Sequence, residues 1–398
     1  MNDAEKRELH KQREERRKEI KRQKETRRKK TAWIVIAVVV VVLIALRISE
    51  IDFSSFNKSH TDSNGRFSIS SGYDASVYPI SLDSSENAVC SALSDDAAVL
   101  TSGSFQVLNP SDDEVKNEAV HKYSNPILET NGAYALVYDQ GGKKFRLETN
   151  SKNIYEGTAE NNIICATVSS GGIVAVATLS DSAKCSIIVY SKSLEKTASY
   201  DVSLGYVAEM SVDSSGNYVA FSCFNSENAQ LVTKVCILKV KDNTILEEFD
   251  LTYPTLYDLS FSGADLYCVS QEGVSVIADR KKLVNVFENS KGVINSYCYN
   301  ESGYLTVCRT DYENSDSVSV CVIKPNGKVS CSFAISQVPE QMKAASGNFY
   351  LYIDNEILCC NKKGEVLQKI DCGVISSFTV ISKRLFYIKQ SILECHSL

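Results

Sequence analysis

The sequence predicts an all-β chain behind one N-terminal membrane anchor, and three observations carry that prediction. From Tyr73 to Leu398, short runs of Val, Ile, Leu, Tyr and Cys alternate with polar residues, and clusters of Gly, Asn, Asp and Ser interrupt them every eight to twelve residues. A strand–turn–strand unit recurs eight times along the same stretch. Residues 32–46, AWIVIAVVVVVLIAL, contain no charge and follow a strongly basic segment. Period-two alternation between turn signals is the pattern of half-buried strands, and helical periodicity is not sustained anywhere in the repeat region.

The first element is a basic arm, residues 1–30, with fourteen Lys or Arg against seven Asp or Glu. It lacks Pro and Gly, and Glu14 with Lys18 and Glu25 with Lys29 stand four apart, a spacing that supports an exposed helix. Residues 31–48 form the expected transmembrane signal anchor. The fifteen-residue apolar core rises about 22 Å as a helix, and Thr31, Arg47 and Ile48 lengthen it because Arg can snorkel. Trp33 stands where an interfacial aromatic belongs. The run ends Ile44-Ala45-Leu46-Arg47, which offers no small-x-small cleavage site, so the segment is expected to stay attached. The positive-inside rule keeps the arm in the cytoplasm and sends everything after Arg47 across the membrane.

Charge divides at this anchor. The arm carries a net +7, whereas the remaining residues hold twenty-nine basic against forty-two acidic side chains, a net −13. An acidic exported domain argues against nucleic acid as a partner, while the basic arm suits anionic lipid headgroups.

Residues 49–72 are rich in Ser, Asn, Asp, Lys and Gly and read as a flexible tether. The repeats follow. MSVDSSGNYVAFSCF from Met210 and YCYNESGYLTVCR from Tyr297 show the unit best. Weaker copies begin at Ser91, Leu128, Ala166, Asp258, Lys343 and Phe378, spaced about 35 to 50 residues apart. A period of this size with four short strands per unit is the pattern of β-propeller blades, each too small to bury its faces alone. Residues 73–398 are therefore expected to form a propeller of eight four-stranded blades, or seven if the unit at Leu128 or Lys343 is misread. The last unit has room for only three strands before Leu398, and the strand Ser76 to Asp83 precedes the first unit without a partner. It is expected to supply the missing outer strand and close the ring, which removes exposed sheet edges.

The element VDSSGNYVAFS resembles the strand, Asp-x-x-Gly turn and strand of WD40-like propellers. The arrangement of basic arm, single span and exported repeat domain also resembles an uncharacterised family of membrane proteins of Gram-positive anaerobes, a domain of unknown function. The Gly-His and Trp-Asp pairs of WD40 blades are missing, and Trp33 is the sole Trp, so the blade tryptophans of quinone-dependent dehydrogenases are missing too. The resemblance implies the fold and transfers no active site.

Chemistry is sparse in the motifs. His10, His60, His121 and His396 lie far apart and show no zinc spacing, and neither a G-x-S-x-G elbow nor a P-loop occurs. The acidic turns at Ser94-Asp95-Asp96, Asp213-Ser214-Ser215-Gly216 and Asn300-Glu301-Ser302-Gly303 could hold Ca²⁺, but side-chain-to-backbone turn bonding accounts for them more simply. Acidic residues lining a central channel could act as acid and base, yet the sequence singles out no pair. No catalytic residue, cofactor or metal ligand is assigned, and an enzyme is not expected.

All fourteen Cys follow the anchor and sit inside apolar runs such as IICATV and ILCC, where Cys behaves as a small buried hydrophobe. Free thiols are expected, on an exterior that is not strongly oxidising. Cys321 and Cys331 flank Pro325-Asn326-Gly327: a three-residue loop would set them opposite each other, whereas a two-residue Asn-Gly turn, the favoured register, puts them on opposite faces. Twenty Tyr are mostly expected as blade filler, a minority as a stacking surface at the channel mouth. The sequons at Asn57 and Asn300 carry little weight. The combined expectation is a single-pass cell-membrane protein, held through residues 31–48, whose extracytoplasmic propeller binds or scaffolds a protein or glycan partner. The alternatives are an envelope hydrolase or lyase and a transmembrane sensor.

Overall fold

A computed structural model describes residues 78–84, 88–111, 114–227, 230–288, 292–300, 303–311, 317–324 and 327–398. Their strands form eight four-stranded antiparallel sheets, arranged as the eight blades of a propeller. Blades 1 to 7 are continuous in sequence, over residues 89–120, 126–158, 163–202, 206–250, 256–288, 292–335 and 341–371. Blade 8 takes three strands from 377–397 and its fourth, outermost strand from Ile80–Ser81. Every one of the eight repeated hairpins is the inner pair of a blade, so both weak units are real and the count is eight. The basic arm, the anchor and the tether lie outside the described residues. Among the described residues no helix is long and apolar enough to cross a membrane.

Burial follows strand position. The second strands are covered on both faces by neighbouring blades, and Asp96–Leu100 is buried at every residue, as is all of Asn348–Ile353 beyond its first position. Outer strands alternate: Lys196–Val202 buries Ala198 and Val202 and exposes most of the rest. Cores therefore form between blades. One unites Ala177, Ile187 and Val189 of blade 3 with Val212, Phe221 and Leu238 of blade 4. Such repeats hold only as a stack, because each sheet's apolar face is covered by the next blade.

The ring closes where the sequence indicates, with a shorter strand than expected. Ile80 pairs with Leu393 and Ser81 with Ile392, and the Leu82 amide donates to the Ser391 carbonyl at 2.8 Å. Tyr78 packs edge-on against Phe386 with ring centroids 5.4 Å apart, and its hydroxyl donates to the Asn109 carbonyl of blade 1 at 3.0 Å. The inner strands of blades 8 and 1 are tied by Ser377 Oγ, which accepts the Cys90 amide at 3.1 Å, and by Ser376 Oγ, which donates to the Ala88 carbonyl at 3.0 Å.

Inner hairpins use two kinds of turn. Blades 1, 2, 5, 7 and 8 have two-residue turns, made by left-handed residues such as Ser94 at φ 54° and Gly263 at φ 63°. Blades 3, 4 and 6 use a longer turn whose first side chain accepts a backbone amide: Asp213 Oδ1 from Tyr218 at 2.8 Å, Asn300 Oδ1 from Tyr304 at 2.9 Å, and Ser169 Oγ from Ile173 at 3.0 Å. Asp96 departs from the turn-bonding expectation. It begins a strand and is ion-paired with Lys116 at 2.7 Å.

The hairpin after Cys321 also departs in its cause. The Lys324 amide donates to the Lys328 carbonyl and the Gly327 amide to the Lys324 carbonyl, which makes a three-residue loop rather than a two-residue Asn-Gly turn. A bulge between Val322 and Ile323 then shifts the register, so Val322 faces Cys331 and Cys321 faces Ser332. The two thiols still end on opposite faces: Cys321 belongs to the core between blades 5 and 6 and Cys331 packs against the core between blades 6 and 7.

Candidate functional site in the central channel

The eight inner strands run side by side around the centre, and the polar side chains they carry define the channel. Four successive inner strands, in blades 3 to 6, contain register shifts: between Ile163 and Cys165, Val207 and Met210, Leu256 and Asp258, and Ile294 and Ser296. An extra residue in one strand bends it locally and re-aims its side chains. Glu209 lies in one of these bulges and Asp258 borders another; the Glu209 amide, withdrawn from the ladder, donates to Ser222 Oγ at 3.0 Å.

Glu129 of blade 2, Glu209 of blade 4 and Asp258 of blade 5 form an acidic cluster. Burial pushes Glu209 up to about 8, and the charges of Asp258 and Glu129 add to it. Glu129 is raised to about 7 by burial and then by Asp258, and Asp258 to about 6 by burial. Glu129 is nevertheless open to water. A narrow wet shaft reconciles the two, because water reaches the carboxyl without solvating its charge as bulk water does. Tyr297 faces all three carboxyls, which with burial raise its phenol. The Tyr299 hydroxyl lies beside Asp258 but is fully enclosed and makes no well-formed hydrogen bond. Carboxyls that hold a proton near neutral pH can donate as well as accept it, which is the chemical capacity of this wall.

The hairpin-turn end of the channel opens into a cavity of about 590 Å³. Ser91, Thr130, Tyr299, Lys343 and Thr379 are among its lining residues, and Ser91 Oγ and Thr130 Oγ1 are hydrogen-bonded at 2.7 Å. Lys343 is the one cation of that lining. Among the described residues no group of three His, Cys, Asp or Glu side chains is placed to hold a metal ion.

A second polar-to-apolar feature lies away from the channel. In blade 4 the two middle strands, Tyr218–Glu227 and Gln230–Lys239, are ten residues each, against seven for the strands flanking them. Their pairing continues through Asn225 with Val232 and Glu227 with Gln230, beyond the last partners that the flanking strands supply. At the base of this overhang Tyr206 and Phe224 pair at 6.1 Å between ring centroids, and they are 49% and 40% exposed, with Leu231 at 46% and Leu204 at 42%. Lys184 Nζ stands 5.7 Å from the Tyr206 ring centroid.

Tyrosine divides as the sequence suggests: Tyr138, Tyr267, Tyr350 and Tyr352 are core, and Tyr297 and Tyr299 face the channel. The channel carboxylates and Lys343 were not singled out from sequence. A signal was there, since each is a charged residue within the first strand of a repeat; Asp258 and Lys343 open two of the aligned copies and Glu129 is the second residue of a third. Ser91, Glu129, Lys343 and Thr379 even share one position, two residues before the strand end. Exposed Tyr206 gave no signal, because an aromatic at a strand start normally packs. The described histidines stay apart: His121 stacks on Tyr123 and His396 of blade 8 meets Gln368 of blade 7.

Similarity to solved structures agrees with this architecture. The computationally designed protein Ika8 superposes with a TM-score of 0.60 at 12% identity, over 80% of this chain and 98% of that one. Sqt1 of Saccharomyces cerevisiae gives 0.57 at 11% identity, over 81% and 98%. BamB of Moraxella catarrhalis gives 0.49 at 11% identity, over 81% and 97%. The likeness to Ika8 and Sqt1, at these identities, speaks for the propeller fold alone. No curated protein matches the sequence. Residues 63–391 match the model of a family of unknown function, DUF5711, and the chain belongs to that family.

Proposed function

We propose that the protein is a membrane-tethered extracytoplasmic propeller that docks a protein partner of the envelope. The tether rests on the charge-free run after a basic arm, and the docking role on one observation, the blade 4 overhang with Tyr206, Phe224, Leu204 and Leu231 exposed together. Aromatic side chains that are solvent-exposed in the free chain and held by a rigid sheet supply large contact area at low entropic cost. The test is capture from solubilised envelope by the full-length protein. A stoichiometric partner recovered with the native chain and lost with Y206S/F224S, while K343Q still captures it, supports the reading. Capture unchanged by Y206S/F224S refutes this surface. Added protease should remove the domain after Arg47 from intact protoplasts; a protected C-terminus would overturn the orientation.

One observation favours a second reading, an envelope hydrolase or lyase working from the channel. Burial raises the Glu129, Glu209 and Asp258 carboxyls towards neutrality, and the charge of Asp258 raises Glu129 and Glu209 further, as general acids require. Turnover of an envelope polysaccharide or peptide that E209Q abolishes would establish it.

A further inference from the structure

Lys343 is an unusual residue to find where it is. It belongs to the inner strand Gln341–Ala345, is half-buried, and makes no ion pair or hydrogen bond with any described residue. Its ammonium instead faces a cavity whose other polar side chains are hydroxyls and one exposed carboxylate, Asp95, with which it makes no ion pair. Withdrawing a cation from water without a counter-charge costs free energy that a bound anion would recover. As the one cation of that lining, Lys343 matches a singly charged carboxylate better than a dianion, which Asp95 and the acidic cluster further along the channel would repel more strongly.

The opposite wall completes the pattern. In a ring of eight, blade 7, which carries Lys343, stands across from blade 3, and Glu129, Glu209 and Asp258 come from blades 2, 4 and 5 on either side of it. Tyr299 joins the two regions: it lines the cavity, and its unpartnered hydroxyl lies beside Asp258. We propose that the channel binds a short zwitterionic peptide, its carboxylate on Lys343 and its ammonium towards the Glu129 and Asp258 wall. This site is separate from the blade 4 overhang, so either can fail without the other.

The probes are tri-alanine, N-acetyl-tri-alanine and tri-alanine amide, titrated calorimetrically into the full-length protein; a tripeptide extends about 10 Å, enough to separate its two charges across a shaft. Tri-alanine should bind, and loss of its carboxylate as the amide, or the substitution K343Q, should weaken binding about tenfold or more, with K343R retaining most of it. Acetylation should weaken binding to the native chain but not to E129Q/D258N, which has already lost the ammonium's partners. Lys343 has no partner to lose, so K343Q should melt like the native chain. Absence of binding by all three peptides, or K343Q binding as tightly as the native chain, overturns the site. Acetyl-tri-alanine binding as well as tri-alanine overturns the zwitterion and leaves a carboxylate site.

Discussion

The two halves of the ring reach the channel by different means. In blades 3 to 6 the inner strand carries a bulge, and Glu209 and Asp258 reach the centre at these irregularities. In blades 7, 8, 1 and 2 the inner strands stay in unbroken register, and a fixed position two residues before the strand end supplies Lys343, Thr379, Ser91 and Glu129 in turn. One half is decorated by repetition, the other by local departures from it. Regular strands can change a side chain without changing the backbone, whereas bulged strands tie the side chain to a backbone distortion that must be specified separately. Breaking each half should therefore look different.

The largest effect belongs to the regular half, because the seam lies in it. Deleting residues 1–87 removes Ile80–Ser81 and the packing of Tyr78 and Leu82 on the core of blades 8 and 1, whereas deleting 1–72 removes none of it. Buried Leu82 at about 1.5–3 kcal/mol, the half-buried Tyr78 and Ile80 at less, and an exposed edge make aggregation or a melting point lower by roughly 10 °C the expected result for the longer deletion. The shorter deletion should melt like the intact domain. Equal melting of the two, followed by circular dichroism, would remove the closing role of the strand.

Next comes the backbone of the bulged half. Gly205 and Gly292 stand at the starts of two bulged inner strands, and a Cβ on either would run into a backbone carbonyl, of Phe224 and Thr310 respectively. Backbone cannot rotate aside as a side chain can. G292A should thus cost about 2–4 kcal/mol, read as a lower denaturation midpoint at unchanged slope. A G292A chain as stable as the native one would mean that the bulge relaxes freely and does not fix the channel.

This difference also sets how much the sequence disclosed. Strand, turn and strand repeat at every blade, so eight blades and the closing strand were legible from the hairpin spacing and the orphan strand before Ser91. The regular channel position was legible in principle, since Ser91, Glu129, Lys343 and Thr379 align. Glu209 and Asp258 showed only as charges within a first strand, because a bulge changes which face a side chain takes and leaves no residue signature of that change in Val207-Ala208-Glu209-Met210 or Leu256-Tyr257-Asp258. The same blindness misassigned the loop after Lys324: Asn326-Gly327 pointed to a two-residue turn, and the chain makes a three-residue loop followed by a bulge that restores the expected facing.

A smaller effect comes from protons. Glu209 is raised from 4.5 to about 8, so the native chain binds more protons than the unfolded chain between those values. The stability this gives is complete below about pH 4.5 and is lost as pH rises through 8. E209Q has no such dependence. It should melt with the native chain near pH 5 and about 2–4 °C above it at pH 8.5, and E129Q should show less because water reaches Glu129. Parallel pH profiles of E209Q and the native chain would place Glu209 in ordinary solvent and dissolve the acidic wall.

The smallest effect concerns the thiols, and it tests the register of one bulge. All fourteen Cys are free, twelve of them buried and Cys165 and Cys331 half-buried. Cys321 and Cys331 would sit directly opposite if the three-residue loop continued into a regular ladder. The bulge between Val322 and Ile323 places them on different faces instead, in cores that the sheet of blade 6 separates, and no disulfide can pass through a sheet. Burial raises the Cys331 and Cys165 thiols as well, so even these two should react slowly. Mild alkylation of the native protein should label at most Cys165 and Cys331, denaturation should release all fourteen, and stability should change little when Cys331 is replaced by Ser. A linked Cys321–Cys331 peptide in the non-reduced digest would mean that the ladder is regular there and the bulge absent, which would also return Val322 from opposite Cys331 to opposite Ser330.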